Sequence, residues 1–186
     1  MLLHTDRLSI RPYTLEDLEA RHQLITQAFK FTDTLDDTRA WLTWTIASYA
    51  QFRRMYQPPY GDYVVVLNST QAVIGSVGLV PSLIPWGVID ELRPPSISVD
   101  YQTNPEFGLF WGILPDYWGN GYAPEAGKAF IKWIFEGQNA LRVVATTERT
   151  NQSSQQVMKK LGMDIYTNSH DTPFWFEVVG ILQNPK

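Results

Sequence analysis

The stretch EFGLFWGILPDYWGNGYAPEAGKAFIKWIFEG, residues 106–137, constrains the fold more than any other part of the chain. Its opening run, EFGLFWGILP (106–115), is apolar, bounded by Pro105 and Pro115, and short enough for a central strand. Its second half, PEAGKAFIKWIFEG (124–137), sets Ala126, Phe130, Trp133 and Ile134 on one helical face, with Ala123 just ahead and Pro124 tolerated in the first turn. LRVVATT (141–147) then reads as a buried strand. Strand, helix and strand in that order predict a crossover and at least one parallel pair around residues 121–147.

The remaining elements fit around this unit. RLSIRPY (7–13) alternates as a half-buried strand does, and two helices are predicted over 14–27 and 36–56. DYVVVLNS and QAVIGSVGLV flank the short polar turn NSTQ and predict a β-hairpin. Residues 81–105, punctuated by Pro81, Pro85, Pro94, Pro95 and Pro105, read as one long loop-like insertion in which SISVDY (96–101) could form a short strand. NQSSQQVMKKLG (151–162) reads as a helix with Asn151 as N-cap, Lys159 and Lys160 in its last turn and Gly162 as its stop. MDIYTNS and PFWFEVVG finish the chain as two strands. The expectation is an α/β protein with a mixed sheet, folded as a single domain over 1–186, a length that buries a core without staples.

Composition removes several function classes. Fifteen basic residues against nineteen acidic give a net charge of −4, with no basic run to track phosphates, so nucleic-acid binding is not expected. The absence of cysteine removes disulfides, zinc-thiolate sites and a thiol nucleophile. His4, His22 and His170 show no metal-ligand spacing, and no metal is expected. No stretch approaches the roughly 18 apolar residues of a spanning helix, which reads as a soluble, cytoplasmic protein without a membrane partner.

A glycine-bearing turn between a strand and a helix is physically an anion site. Unpaired amides of the first helical turn point outward, the positive end of the helix dipole adds to them, and glycine removes the Cβ that would hold a phosphate away. The donors would be the amides of Trp118 to Ala123. Residues 119–124 read G-x-G-x-x-P, so the third glycine of the dinucleotide fingerprint is missing, and no Lys-Ser/Thr follows to make a nucleotide-triphosphate loop.

With TTERTNQSSQQVMKKLGM downstream, the stretch GILPDYWGNGYAPEAGKAFIKWIF resembles the GNAT superfamily of acyl-CoA-dependent N-acyltransferases, in particular the branch of ribosomal-protein N-terminal (alanine/serine) acetyltransferases. That family's pyrophosphate signature, Gln/Arg-x-x-Gly-x-Gly/Ala, falls on Trp118, Gly119, Asn120, Gly121, Tyr122 and Ala123, with Trp118 in the Gln/Arg place. A second block falls on Asn151, Ser154, Lys160 and Gly162, with Met163 in place of Phe. The resemblance implies a GNAT fold: a mixed, mostly antiparallel sheet of about seven strands with a splayed central parallel pair, flanked by about four helices. It implies acetyl-CoA as co-substrate, its pantetheine arm pairing with the backbone of Gly112, Ile113 and Leu114 in the gap between the strands at about 107–114 and 142–147.

The implied reaction transfers acetyl from a thioester to a primary amine, on a small molecule or a protein N-terminus, by direct attack through a tetrahedral intermediate. By the same resemblance, a backbone N–H of Leu114 or Ile113 would stabilise the oxyanion and Glu106 would be the base. Asn151 would help hold the pantetheine. Family members often place a proton-donating tyrosine seven residues after that Asn; this chain has Met158, and Ser154 is the expected substitute. Helices one and two, segment 81–105 and the last hairpin would wall the acceptor site with Trp41, Trp44, Tyr49, Tyr56, Trp86 and Tyr101. The alternative is a non-catalytic CoA-binding sensor or interaction module. A monomer or homodimer is expected.

Overall fold

The computed structural model describes residues 1–96 and 98–185. Eight strands lie in one mostly antiparallel sheet: β1 (Leu3–His4), β2 (Leu8–Pro12), β3 (Gly61–Leu67), β4 (Val73–Ile84), β5 (Asn104–Ile113), β6 (Arg142–Thr147), β7 (Asp164–Thr167) and β8 (Val178–Gln183), in the spatial order β1-β2-β3-β4-β5-β6-β8-β7. The four helices are α1 (Leu18–Gln27), α2 (Leu35–Arg54), α3 (Tyr122–Gln138) and α4 (Gln152–Leu161). The chain divides into two compact units, Met1–Leu79 with Phe110–Trp133, and Val80–Leu109 with Ile134–Lys186.

In the first unit, β3 pairs antiparallel with β2 and β4, and a register shift at Val65/Val66 marks a bulge. Alternation along β3 decides what each face buries. Val64 and Val66 pack with Tyr13, Leu18 and Leu42 under the first two helices. Tyr63, on the other face, meets Phe130 and Trp133 of α3, with ring centroids 5.5 and 6.1 Å away. Thr34 caps α2 through a reciprocal capping box with Asp37, and Arg53 and Arg54 sit in its last turn.

In the second unit, β8 lies between β6 and β7, antiparallel to both. β5 and β6 make the parallel pair at Gly108↔Val144. Ile84, Val88, Ile89, Val144, Phe176, Val179 and Ile181 form this unit's core. On the face of β8 where Gly180 lies, an added Cβ would come within 2.9 Å of Met163 Sδ and 3.1 Å of Met158 Sδ, so the two methionine side chains pack directly on the glycine.

Three expectations need correction. β4 runs on through Pro81 to Ile84, so the insertion is shorter than the prolines suggested. Residues 98–101 carry no strand, and Ile97 of the same expected element lies outside the described residues. The last strand begins at Val178 rather than Pro173, because a turn closed by Phe176 N–H to Pro173 C=O at 3.0 Å precedes it and drives Phe176 into the core.

Candidate functional site

The glycine turn is built by what its carbonyls do. After β5, a 3₁₀ turn at Pro115–Tyr117 is closed by Tyr117 N–H to Leu114 C=O at 2.9 Å and by Trp118 N–H to Pro115 C=O at 3.1 Å. Gly119 and Gly121 have φ of +78° and +80°, left-handed conformations that other L-residues rarely adopt. The Asn120 side-chain amide donates to the carbonyls of Tyr117 at 3.2 Å and Trp118 at 3.0 Å. The Asn120 carbonyl accepts from Arg7 Nη1 at 3.0 Å, and the Gly121 carbonyl from Glu125 N–H at 3.2 Å. With the carbonyls of Tyr117, Trp118, Asn120 and Gly121 held this way, the amides of Gly119 to Ala123 are left at the start of α3. The Trp118 amide, expected among the donors, is not one of them, because Pro115 holds it.

The end of β5 carries a second correction. The Leu114 amide, expected as an oxyanion donor, donates instead to Ile74 C=O at 2.8 Å. Successive N–H groups of a strand point to opposite edges, which turns the Ile113 amide away from β4. The Ile113 carbonyl accepts from the Trp118 indole Nε1 at 2.6 Å. A Cβ on Gly112 would stand 2.5 Å from the Phe29 ring, so the ring lies directly on this part of the strand.

Glu106 is placed differently from a free base. Its two carboxylate oxygens face Arg142 across the parallel pair in a bidentate contact, with Nε to Oε2 at 2.9 Å, and Oε1 also accepts from Trp86 Nε1 at 2.9 Å. The Trp86 ring stacks 4.7 Å from the same guanidinium. The bond to Glu106 raises the Arg142 pKa above its ordinary value. These contacts tie the carboxylate to the strand pair. Glu106→Gln should therefore lower stability by about 2 kcal/mol, the value of a charge-assisted hydrogen bond, read as a lower thermal midpoint.

α4 is capped as the sequence predicts: Asn151 Oδ1 accepts from the Ser154 amide at 3.0 Å, and Gly162 ends the helix at φ +83°. Ser154 is half-buried, and Met158 is fully buried against β8. Glu106, Asn151 and Ser154 belong to the second unit, whereas Gly112–Leu114 and the glycine turn belong to the first. Of the rings expected on an acceptor wall, three have structural contacts. Trp41 lies 3.9 Å from the Arg21 guanidinium, the Tyr49 hydroxyl donates to Asp62 C=O, and Trp86 holds Glu106 and Arg142. Trp44, Tyr56 and Tyr101 are exposed.

Residues 7–164 match the family model described as "Acetyltransferase (GNAT) domain". The chain belongs to the GNAT acetyltransferase family. It is 42% identical over 57 residues to the "Uncharacterized N-acetyltransferase YnaD" of Bacillus subtilis (strain 168), a stretch that covers 31% of this chain and 34% of that protein. The matched stretch of a second curated relative covers 38% of its length, so the chain spans little more than a third of either. Its fold is that of the ribosomal-protein-S5-alanine acetyltransferase of Vibrio fischeri, with a TM-score of 0.69 over 100% of this chain and 98% of that one, at 14% identity. It is likewise that of a ribosomal L7/L12 alpha-N-protein acetyltransferase, RimL, in complex with coenzyme A, with a TM-score of 0.66 at 13% identity over 97% and 96% of the two chains. No helix among the described residues is long and apolar enough to cross a membrane.

The residues present fit a CoA-type ligand. The turn leaves a row of helix-start amides beside two left-handed glycines, and Ile113 offers a strand-edge amide next to it. The sequence left Arg7 and Phe29 unassigned. Both reach the site from far along the chain, Arg7 across 113 residues to Asn120, and neither carries a local motif that spacing would single out.

Proposed function

We propose that the protein, read as a single acetyltransferase domain, transfers acetyl from acetyl-CoA to a primary amine on a small molecule or a protein N-terminus. The observation that carries this reading is the glycine turn, whose carbonyls are tied back while the amides of residues 119–123 remain at the N-terminus of α3. Acetyl-CoA supplies the activated acetyl group as a thioester. Gly119, Asn120, Gly121, Tyr122 and Ala123 bind its diphosphate, and the β5 edge at Gly112 and Ile113 orients its pantetheine arm. The Ile113 amide takes the oxyanion role in place of Leu114. The amine nitrogen bonds to the thioester carbon, the C–S bond breaks, and the proton lost by nitrogen balances the one gained by sulfur.

Ser154 is proposed as the proton donor to the departing thiol, as the family resemblance implies. A thiol of ordinary pKa, about 8.5, leaves without strong acid assistance, so Ser154→Ala should lower kcat less than about tenfold while leaving CoA binding intact. Stopped assays of thiol release check this. The reading as a whole is tested by calorimetric titration with acetyl-CoA, followed by thiol release with a panel of amines. Binding with amine-dependent release is expected. No binding at millimolar ligand removes the reading, and binding without release for any amine leaves a sensor, a role that the burial of Met158 in the family's acid position would suit.

A further inference from the structure

We propose that Arg7 is a positioning residue for the diphosphate site: it holds the Asn120 carbonyl and neutralises Glu125, and so keeps the turn's amides available to an anion. This rests on the CoA reading above. Arg7 lies between β1 and β2, and nothing in the glycine motif points to it. Its Nη1 donates to Asn120 C=O at 3.0 Å, its Nε and Nη2 reach Glu125 Oε2 at 2.7 and 2.5 Å, and its guanidinium stacks 4.7 Å from the Tyr122 ring. One side chain thereby touches three residues of the turn and first helical turn. A Cβ added at Gly121 would lie 3.7 Å from its Nη2, which places the guanidinium against the turn itself.

The charge arrangement explains why such a contact is needed. Glu125 stands in the first turn of α3, where a carboxylate is favourable to the helix dipole but repels a phosphate bound to the same amides. Glu125 Oε1 accepts from Thr5 Oγ1 at 2.5 Å and from the Arg7 amide at 3.2 Å, while Oε2 is taken by the guanidinium. Both oxygens are thus occupied from the N-terminal segment. Partial burial works to raise the Glu125 pKa, but the hydrogen bonds from Thr5 and Arg7 outweigh it and hold the group below its ordinary value, as the charged form. Without the Arg7 guanidinium the Glu125 charge stands unneutralised beside the turn, and the Asn120 carbonyl loses the donor that holds it.

The test titrates wild type, Arg7→Met, Arg7→Lys, Glu125→Gln and the double variant Arg7→Met/Glu125→Gln with CoA by calorimetry. Turnover with acetyl-CoA is then compared with turnover of S-acetylpantetheine, which has no diphosphate. Arg7→Met should weaken CoA binding about tenfold, as loss of charge-assisted hydrogen bonds does. It should raise KM for acetyl-CoA while kcat at saturation holds, and change kcat/KM for S-acetylpantetheine less than about twofold, because that donor makes no phosphate contact. The double variant should recover part of the loss, because the unpaired carboxylate is gone, and Arg7→Lys should fall between Arg7→Met and wild type. If Arg7→Met does not fold by thermal unfolding, Glu125→Gln decides the point, since it frees a guanidinium beside the turn and should bind CoA at least as tightly as wild type.

The inference is overturned if wild type binds CoA and Arg7→Met binds it equally, if both donors lose turnover alike, if the double variant is no better than Arg7→Met, or if Glu125→Gln is weakened tenfold. If wild type itself binds no CoA, the CoA reading fails and this inference with it.

Discussion

Gly121→Val is expected to weaken CoA binding about a hundredfold, combining left-handed strain with a blocked approach for the phosphate. Gly121 sits at φ +80°, where a β-branched residue costs about 1–2 kcal/mol or more. The new Cβ itself meets only ordinary contact, 3.7 Å from Arg7 Nη2. The γ-methyl groups have to go either into the Arg7 clamp or into the space in front of the amides, and either placement reduces binding. Gly121→Ala, which adds the Cβ alone, should show a smaller loss. The control is Gly162→Ala, which has the same left-handed requirement at φ +83° with nothing within 4 Å of the added Cβ, but sits at the end of α4. It should lower the unfolding midpoint and leave CoA affinity unchanged. Calorimetry and thermal unfolding on the three variants separate the two effects. If Gly121→Val binds as wild type does, the turn is not the phosphate site.

How far the sequence could be read depends on the range of the interactions involved. The two left-handed glycines of the turn, the Asn151 cap and the Gly162 stop depend on neighbours within a few residues, and spacing alone predicts them. The order of helices and strands follows from periodicity and is found as expected from β2 onward; β1, two residues long at Leu3–His4, is too short to show a period. Composition places the start of the last strand too early, because Phe174, Trp175 and Phe176 are strand-like residues, whereas the structure uses Phe176 as a core plug on a turn. Glu106 looks free in sequence because its partners are 20 and 36 residues away, on Trp86 and Arg142, and only the parallel register brings them together. Leu114 looked available because sequence does not show which edge of a strand an amide faces. Arg7 was invisible for the same reason as Glu106, since the ion pair that gives it a role spans 118 residues.

Arg21→Met is expected to destabilise the protein by about 3–5 kcal/mol, the cost of leaving a buried charge without its partner. Arg21 and Asp62 are both almost completely buried, and Arg21 Nη1 lies 2.6 Å from Asp62 Oδ2 beneath the Trp41 ring. The other carboxylate oxygen, Oδ1, and Arg21 Nε are buried with no hydrogen-bond partner among the described residues, as are the hydroxyls of Tyr13, Thr45 and Ser76. Desolvation therefore dominates: burial pushes the Asp62 carboxyl up to about 6, against the opposing pull of Arg21. The folded state then holds this proton more tightly than the unfolded chain, where an aspartate titrates near ~3.9. The sign follows: the contribution of Asp62 to stability is greatest below about pH 4, declines as pH rises, and is lost once pH passes about 6, an effect of about 3 kcal/mol. Denaturant midpoints measured from pH 4 to 7 should show this decline in wild type and lose most of it in Asp62→Asn. The pair is held by geometry rather than by net attraction, so Arg21→Met/Asp62→Leu should cost less than Arg21→Met alone, as apolar replacement of a buried ion pair does elsewhere. A pH profile that is the same in wild type and Asp62→Asn would show that the attraction between the two charges offsets the cost of burying them, and a double variant less stable than Arg21→Met would show that the carboxylate is worth more there than an apolar side chain.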